Sequence, residues 1–167
     1  MIVKHIILHH SATRDGKSFT WPAIKKYHMS WRAHGNIITR EVALKMIDEG
    51  YEREVVKPWG DIAYHRGIEL VGEEYKRLIG RPLSRPGVHC PQQYMNSKSI
   101  GFCFVGDYDK AEVPEKMWLM GLEYVRELLK ECNLKNEKGI VLGHRELNPE
   151  RTCPGKLFNM DKFREEL

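Results

Sequence analysis

The sequence has no apolar run of the roughly 18–20 residues that a membrane-spanning helix needs. Its first residues also lack a charged stretch followed by a long apolar segment and a small-residue cleavage site, which together mark a secretory signal peptide. We therefore expect a protein that is made in the cytoplasm without a signal peptide and that has no membrane partner. If it acts elsewhere, it leaves by a route that the sequence does not encode.

Close cysteine pairs are missing as well. The chain has four cysteines, Cys90, Cys103, Cys132 and Cys153, and none of them forms a Cys-x-x-Cys pair. Structural zinc sites usually depend on such pairs, so the usual zinc-finger classes are excluded. In a chain without a secretory signal we expect the thiols to be reduced. No phosphate-binding loop or dinucleotide-binding glycine motif occurs either.

Long runs of one charge sign are also absent. The 27 Lys and Arg against 23 Asp and Glu leave a net charge of +4, and no block of five or more basic residues occurs. A solvated surface of mixed sign is the simplest interpretation of this pattern. We therefore expect no nucleic-acid partner.

What is present is the composition of one globular domain. Of the 167 residues, 41% are hydrophobic and 30% are charged, which is enough apolar material for a core without disulfides. No linker, repeat or low-complexity segment divides the chain, so we expect a single domain over residues 1–167, as a monomer. Strands and helices alternate without strict regularity, which predicts an α/β fold with a mixed central sheet flanked by helices.

Apolar patterning and capping residues locate the elements. Strands are predicted over residues 2–9, in two segments within 61–79 joined by a turn near Gly72, over 99–105 and over 139–142. Helices are predicted over about 20–34, 39–49 and 114–132, and from 159 or 161 onward. After a turn at 14–18, Thr20 is expected to cap the first helix, and Gly35 with Asn36 to end it. Thr39 is expected to cap the second helix.

Histidine and cysteine stand where predicted strands end. His9 and His10 close the first strand, His144 follows the late strand, and Cys153 lies in a loop nine residues further on. Neutral imidazole and thiolate are the ligands that zinc prefers, and three ligands from separate elements favour a catalytic site with one open position. Because neighbours on a strand point to opposite faces, only one of His9 and His10 is expected to bind metal, and periodicity leaves open which.

Five short stretches then occur in one order: Ile7-Leu-His-His-Ser-Ala-Thr13, Trp59-Gly-Asp-Ile-Ala-Tyr-His65, Ser99-Ile-Gly101 with Gly106, Gly143-His-Arg-Glu146 and Thr152-Cys-Pro-Gly155. With them the chain resembles the zinc-dependent N-acetylmuramoyl-L-alanine amidases. That family includes small phage lysozymes with amidase activity and the peptidoglycan recognition proteins. The resemblance runs from Ile2 to about Phe158 and implies the mixed sheet flanked by helices of that family.

The resemblance implies a role for each matching residue. The family's zinc ligands correspond to His9, His144 and Cys153, and its catalytic tyrosine to Tyr64. Arg151 stands where the family often has Lys or Thr. Arginine can stabilise an oxyanion but is a poor proton donor, because its pKa exceeds about 12.

Three further residues are predicted to bind substrate: His89, Asn96 and Thr152. His89 matches a groove histidine of the family, with loop packing as the alternative, and Asn96 matches a frequent asparagine, with turn capping as the alternative. Thr152 flanks the metal, and its alternative role is to shape the loop. An extra segment at about 36–57 is expected to line one rim of the substrate groove.

The implied function is hydrolysis of the amide bond between N-acetylmuramic acid and L-alanine in peptidoglycan or muropeptides, with one Zn²⁺ ion. A lone catalytic domain suits a phage or prophage endolysin that meets the bacterial cell wall through a membrane lesion, and it also suits a cytoplasmic recycling enzyme that acts on small muropeptides. One alternative is a peptidoglycan-binding or regulatory protein on the same fold. Another is a cysteine hydrolase with Cys153 as nucleophile and His144 as base. No carboxylate adjoins a ligand, so the general base stays unassigned.

Overall fold

The computed structural model describes residues 1–13 and 21–167. The strands are β1 His5–His10, β2 Arg32–Ala33, β3 Asn36–Ile37, β4 Val55–Val56, β5 Arg66–Val71, β6 Glu74–Ile79, β7 Ser99–Phe104 and β8 Val141–Gly143. The α-helices are α1 Trp21–His28, α2 Arg40–Asp48, α3 Glu115–Glu131 and α4 Met160–Glu165. Short 3₁₀ turns cover Glu52–Glu54, Gln92–Ser97 and His144–Glu146. The predicted turn at 14–18 and the Thr20 cap lie outside the described residues.

The central sheet is mixed, as predicted. Its order is β6-β5-β7-β1-β8; β1 runs parallel to both β7 and β8, β5 runs parallel to β7, and β5 and β6 form an antiparallel hairpin. Gly72 has a φ of 65° in the turn of that hairpin, a backbone conformation that glycine adopts at no steric cost. The parallel pairing brings the carboxyl ends of β1, β7 and β8 to one edge of the sheet, where ligands of such sheets commonly bind.

The core lies mainly between the sheet and α3. β1 and β7 are almost continuously buried, as expected for inner parallel strands. One face of α3 packs on them through its apolar positions at helical spacing, as the sequence predicted. Four buried phenylalanines complete this layer, with ring centroids between 5.1 and 6.0 Å apart: Phe102, Phe104, Phe158 and Phe163.

The prediction for the end of the first helix is wrong. α1 ends at His28, not near His34, and the chain then enters the hairpin of β2 and β3. Ala33 pairs with Asn36, and the two residues between them, His34 and Gly35, have φ values of 50° and 77°. Two left-handed residues form the tight turn that matches the twist of a hairpin. The glycine read as a helix end therefore makes a strand turn.

The extra segment at about 36–57 contains the helix α2 and the strands β3 and β4, which pair with β2 in a small sheet of order β3-β2-β4. Thr39 caps α2 as predicted, since its hydroxyl accepts a hydrogen bond from the Val42 amide at 3.3 Å. Only Ala43 of α2 is buried, so the helix covers little core. Among the helices in the described ranges, none is both long and apolar enough to traverse a bilayer.

Candidate metal and catalytic site

Three of the predicted residues meet at the carboxyl edge of the sheet. The register of β1 on β8 pairs Leu8 with Gly143, so His9 and His144 follow side by side, and Cys153 reaches them from its loop. One ligand atom from each of His9, His144 and Cys153 lies within 4.8 Å of the others. His10 points the opposite way, where its Nδ1 accepts a hydrogen bond from the Tyr108 amide at 3.1 Å. Of the two neighbouring histidines, His9 is therefore the one that lies beside His144 and Cys153.

The chemistry of these three donors suits zinc. Burial lowers the pKa of His9 well below its usual value and that of His144 to about 4, so both rings are neutral at pH 7 and have a lone pair to give. Burial raises the pKa of the Cys153 thiol, which is the opposite of what an unassisted thiolate nucleophile needs. The site therefore offers two imidazole nitrogens and one sulfur. Catalytic zinc sites likewise use three protein ligands, and some of them combine histidine with cysteine.

Seven of the eight predicted site residues line one cleft of about 370 Å³: His9, Tyr64, His89, Asn96, His144, Arg151 and Cys153. The Tyr64 ring lies 5.2 Å from the His9 ring and stacks on Trp21 at 6.2 Å. Burial raises the pKa of Tyr64 well above its ordinary value, so its hydroxyl is protonated at neutral pH and can donate a hydrogen bond.

Thr152 is the eighth predicted residue, and its hydroxyl points elsewhere. It donates to Asp109 Oδ2 at 2.8 Å, and the Lys156 amide donates to Asp109 Oδ1 at the same distance. One carboxylate therefore ties down the chain on both sides of Cys153. This contact agrees with the loop-shaping alternative, and substrate contact by Thr152 stays a prediction.

His89 and Asn96 take part in the packing of the loop as well as lining the cleft. Asn96 Oδ1 accepts hydrogen bonds from the amides of His89 and Cys90, both at 2.8 Å. His89 Nδ1 lies 3.0 Å from His9 Nε2, a hydrogen bond between two buried rings. Burial lowers the pKa of His89 to about 3, so its ring is neutral. The alternatives of substrate contact and loop packing are therefore compatible at both residues.

In the Gly143–Glu146 stretch, the side chains of Arg145 and Glu146 form hydrogen bonds with nearby backbone groups. Arg145 donates through its guanidinium to the carbonyls of Gly155 and Phe158, and its amide donates to the Cys153 carbonyl at 2.9 Å. The Glu146 carboxylate accepts the Gly143 amide at 2.6 Å. Both residues therefore hold the ligand-bearing loops in place.

Sequence reasoning missed His28, Trp59 and Gln92, which also line the cleft. His28 Nδ1 accepts the Ala63 amide at 3.1 Å, and burial lowers the pKa of His28 to about 4, so a neutral ring carries its proton on Nε2. Its ring packs on Trp59 at 4.8 Å, and the Arg32 guanidinium lies 4.3 Å from the Trp59 ring. No spacing or charge pattern singles out His28, since it stands at the end of an ordinary helix.

Comparison with known proteins agrees with this geometry. The family model described as N-acetylmuramoyl-L-alanine amidase matches residues 1–156. No curated protein matches the chain. Among solved structures, the N-acetylmuramoyl-L-alanine amidase LysC from Clostridium intestinale is similar, with 16% identity, a TM-score of 0.61, and 99% of this chain and 85% of that chain covered.

Two other solved structures have the same fold. The Ph2119 endolysin of a Thermus scotoductus bacteriophage is 19% identical, with a TM-score of 0.59 over 99% of this chain and 85% of that one. Drosophila PGRP-LB is 23% identical, with a TM-score of 0.59 over 93% of this chain and 77% of that one. At these identities the structures establish the fold, and the family match covers nearly the whole sequence. The chain belongs to the N-acetylmuramoyl-L-alanine amidase family.

Proposed function

We propose that this protein is a zinc-dependent amidase that hydrolyses the bond between N-acetylmuramic acid and L-alanine in peptidoglycan. The observation that carries the proposal is the convergence of His9, His144 and Cys153 within 4.8 Å, with the Tyr64 ring against His9 in the same cleft. The family match supports the substrate class. A phage or prophage endolysin, reaching the wall through a membrane lesion, is the biological role we infer.

His9, His144 and Cys153 would hold the ion. When bound, zinc supplies a hydroxide nucleophile near neutral pH by lowering the pKa of water, and it polarises the scissile carbonyl. The chain's own contribution is to place hydrogen-bond donors where negative charge develops on the carbonyl oxygen. One well-placed donor of this kind is worth about 10²–10³ in rate.

Tyr64 and Arg151 are the donors that we assign to that oxygen. Burial raises the pKa of Tyr64, so its hydroxyl keeps the proton that a donor to this oxygen needs. Arg151 lines the same cleft and adds a fixed positive charge, which favours an oxyanion over a neutral carbonyl. His28 offers a further Nε2–H donor in the same cleft, with its ring 5.7 Å from the Tyr64 ring, because its Nδ1 is engaged by the Ala63 amide. Together these groups favour the tetrahedral state without needing a neighbouring carboxylate.

The test is digestion of purified peptidoglycan with and without a chelator, followed by mass spectrometry of the fragments. An amidase frees intact stem peptides from the sugar strands only when metal is present. New reducing ends or cuts inside the stem peptide would refute the proposal. Binding of peptidoglycan without any cleavage would identify a recognition protein. Cleavage that survives the chelator would point to a cysteine hydrolase.

A matched pair of variants tests the ligand set. His9→Ala should lose zinc and activity together. His10→Asn is the control, since it alters the adjacent residue on the opposite face and keeps an acceptor for the Tyr108 amide; it should retain both. Cys153→Asp should keep part of the metal, because a carboxylate is a legitimate zinc ligand, whereas a thiol nucleophile tolerates no such change.

A further inference from the structure

Both candidate histidine ligands are held by side chains from one loop. His89 Nδ1 lies 3.0 Å from His9 Nε2, and Gln92 Oε1 lies 3.2 Å from His144 Nε2. His89 and Gln92 are three residues apart, between β6 and β7. In both candidate ligands, His9 and His144, the ring nitrogen that makes this contact is Nε2.

The partner of His144 identifies which of its nitrogens carries the proton. Gln92 Oε1 also accepts from the Cys90 thiol at 3.4 Å, which orients the amide with its oxygen toward both donors. An amide oxygen only accepts, so His144 Nε2 must donate. A neutral imidazole has one N–H, and Nδ1 of His144 is therefore left with its lone pair.

The His89 ring is held so tightly that its contact with His9 is imposed. A Cβ on Gly87 would lie 2.3 Å from His89 Cδ2, and a Cβ on Gly101 would lie 2.5 Å from the same atom. Only glycine leaves room for the ring at these two positions. The side-chain oxygen of Asn96 also fixes the His89 backbone, because it accepts a hydrogen bond from the His89 amide. Gly87 and Gly101, the second of which belongs to the Ser99-Ile-Gly101 stretch, thus leave the space that this ring occupies.

The loop also adopts backbone conformations that need support. Gln93 and Tyr94, directly after Gln92, have φ values of 49° and 59°, in the left-handed region that non-glycine residues seldom adopt. Such strain persists only where the surroundings impose it, and it clusters at functional sites. Here the left-handed pair turns the chain so that Gln92 faces the cleft while Tyr94 is 83% exposed.

We propose that His89 and Gln92 are positioning residues that hold Nε2 of His9 and Nε2 of His144, so that Nδ1 of each ring is presented to the metal. The inference rests on the proposed function, because it requires a metal at His9, His144 and Cys153. Partners of this kind fix the orientation and tautomer of a ligand ring, and removing one typically weakens metal binding by about 10–100-fold.

The first test is zinc affinity, measured by competition between the metal-free protein and a chromophoric chelator. Gln92→Leu removes the acceptor with little change in volume and should weaken zinc binding by about 10-fold or more. Gln92→Glu keeps an acceptor and should bind zinc at least as tightly as wild type. Gln93→Glu is the matched control, since it places the same charge one residue away without reaching His144, and it should stay within about twofold of wild type.

His89 is tested in the same assay. His89→Phe removes the hydrogen-bond partner of His9 Nε2, whereas His89→Asn keeps an oxygen near the position of Nδ1. Zinc binding should therefore fall in the first variant and recover in the second. Circular dichroism of the metal-free proteins checks that each variant folds. The Gln92 pair carries the test if a His89 variant does not fold, because Gln92 is only half-buried.

The second readout is the ring tautomer, from ¹⁵N-detected NMR of the zinc-loaded wild type. We expect both ligand histidines to show a protonated Nε2 and a metal-bound Nδ1. Metal on Nε2 of either ring, or equal zinc affinity in Gln92→Leu and wild type, would overturn the inference while leaving the amidase proposal intact. Failure of wild type to bind zinc would overturn both.

Discussion

Buried histidines make the stability of this fold sensitive to acid, and His65 allows the effect to be measured at one residue. Its ring is fully buried; Nδ1 accepts the Gly101 amide and Nε2 donates to the Arg85 carbonyl, both at 2.9 Å. Protonation would place a second N–H against the Gly101 amide. Burial is the main cause that lowers the pKa of His65 from 6.5 to about 4.

The sign follows from proton binding. Between pH 6.5 and 4 the unfolded chain has His65 protonated and the folded chain does not, so falling pH favours unfolding. The contribution of neutral His65 to the free energy of unfolding is fully present above pH 6.5 and is lost progressively toward pH 4. With these two pKa values, His65 alone should cost about 1 kcal/mol of unfolding free energy between pH 7 and pH 5.5.

The assay is urea unfolding of the metal-free protein at pH 7 and pH 5.5, in wild type and in His65→Asn. The asparagine oxygen can still accept the Gly101 amide but does not titrate. The variant will be less stable at both pH values, and the quantity of interest is the difference between them. Other buried histidines contribute to both proteins and cancel in that comparison.

We expect the variant to lose about 1 kcal/mol less than wild type on acidification from pH 7 to pH 5.5. Above pH 7.5 the stabilities of the two proteins should run parallel with pH. An equal loss in both proteins would show that His65 is not held neutral by burial. A larger loss in the variant would reverse the sign of the reasoning.

Two further predictions concern the loop that carries the candidate sulfur ligand. Arg145→Lys breaks the paired hydrogen bonds to the Gly155 and Phe158 carbonyls. Chemical denaturation should show that the free energy of unfolding falls by about 1.5–3 kcal/mol. An unchanged free energy of unfolding would contradict a stabilising role for these hydrogen bonds. Thr152→Val removes the hydroxyl that donates to Asp109 while keeping the side-chain shape. Its zinc affinity should fall several-fold at constant KM for peptidoglycan fragments; a raised KM with normal zinc affinity would instead support substrate contact.

The inner strands of the sheet were predictable because they are short apolar runs bounded by polar residues, a local pattern that needs no tertiary information. The choice between His9 and His10 was not predictable in this way. Alternation says only that they face opposite sides, and the side that carries the cleft depends on what β7, β8 and the loops place there. Strand register and loop packing depend on contacts between residues far apart in the sequence, which a local pattern does not contain.

The segment after α1 shows a different limit. Glycine after a helical stretch indicates a helix end, and glycine at a positive φ equally suits a two-residue hairpin turn. Pairing of Arg32 with Val56, more than twenty residues away, favours the hairpin. His28 was missed for a related reason. Its place in the cleft depends on contacts with the Ala63 amide and the Trp59 ring, which only the fold brings beside it.

The three candidate ligands differ in how the chain supports them, and this difference explains the surrounding motif. His9 and His144 extend from paired parallel strands, so their backbones are placed by the sheet and only their rings need partners. Cys153 lies on a loop with no strand beneath it, and its position depends on the Asp109 carboxylate and the Arg145 guanidinium. Substitutions around the histidines should therefore act on metal affinity through ring orientation, whereas substitutions around the cysteine should alter the stability of the loop and, through the position of the sulfur, metal affinity.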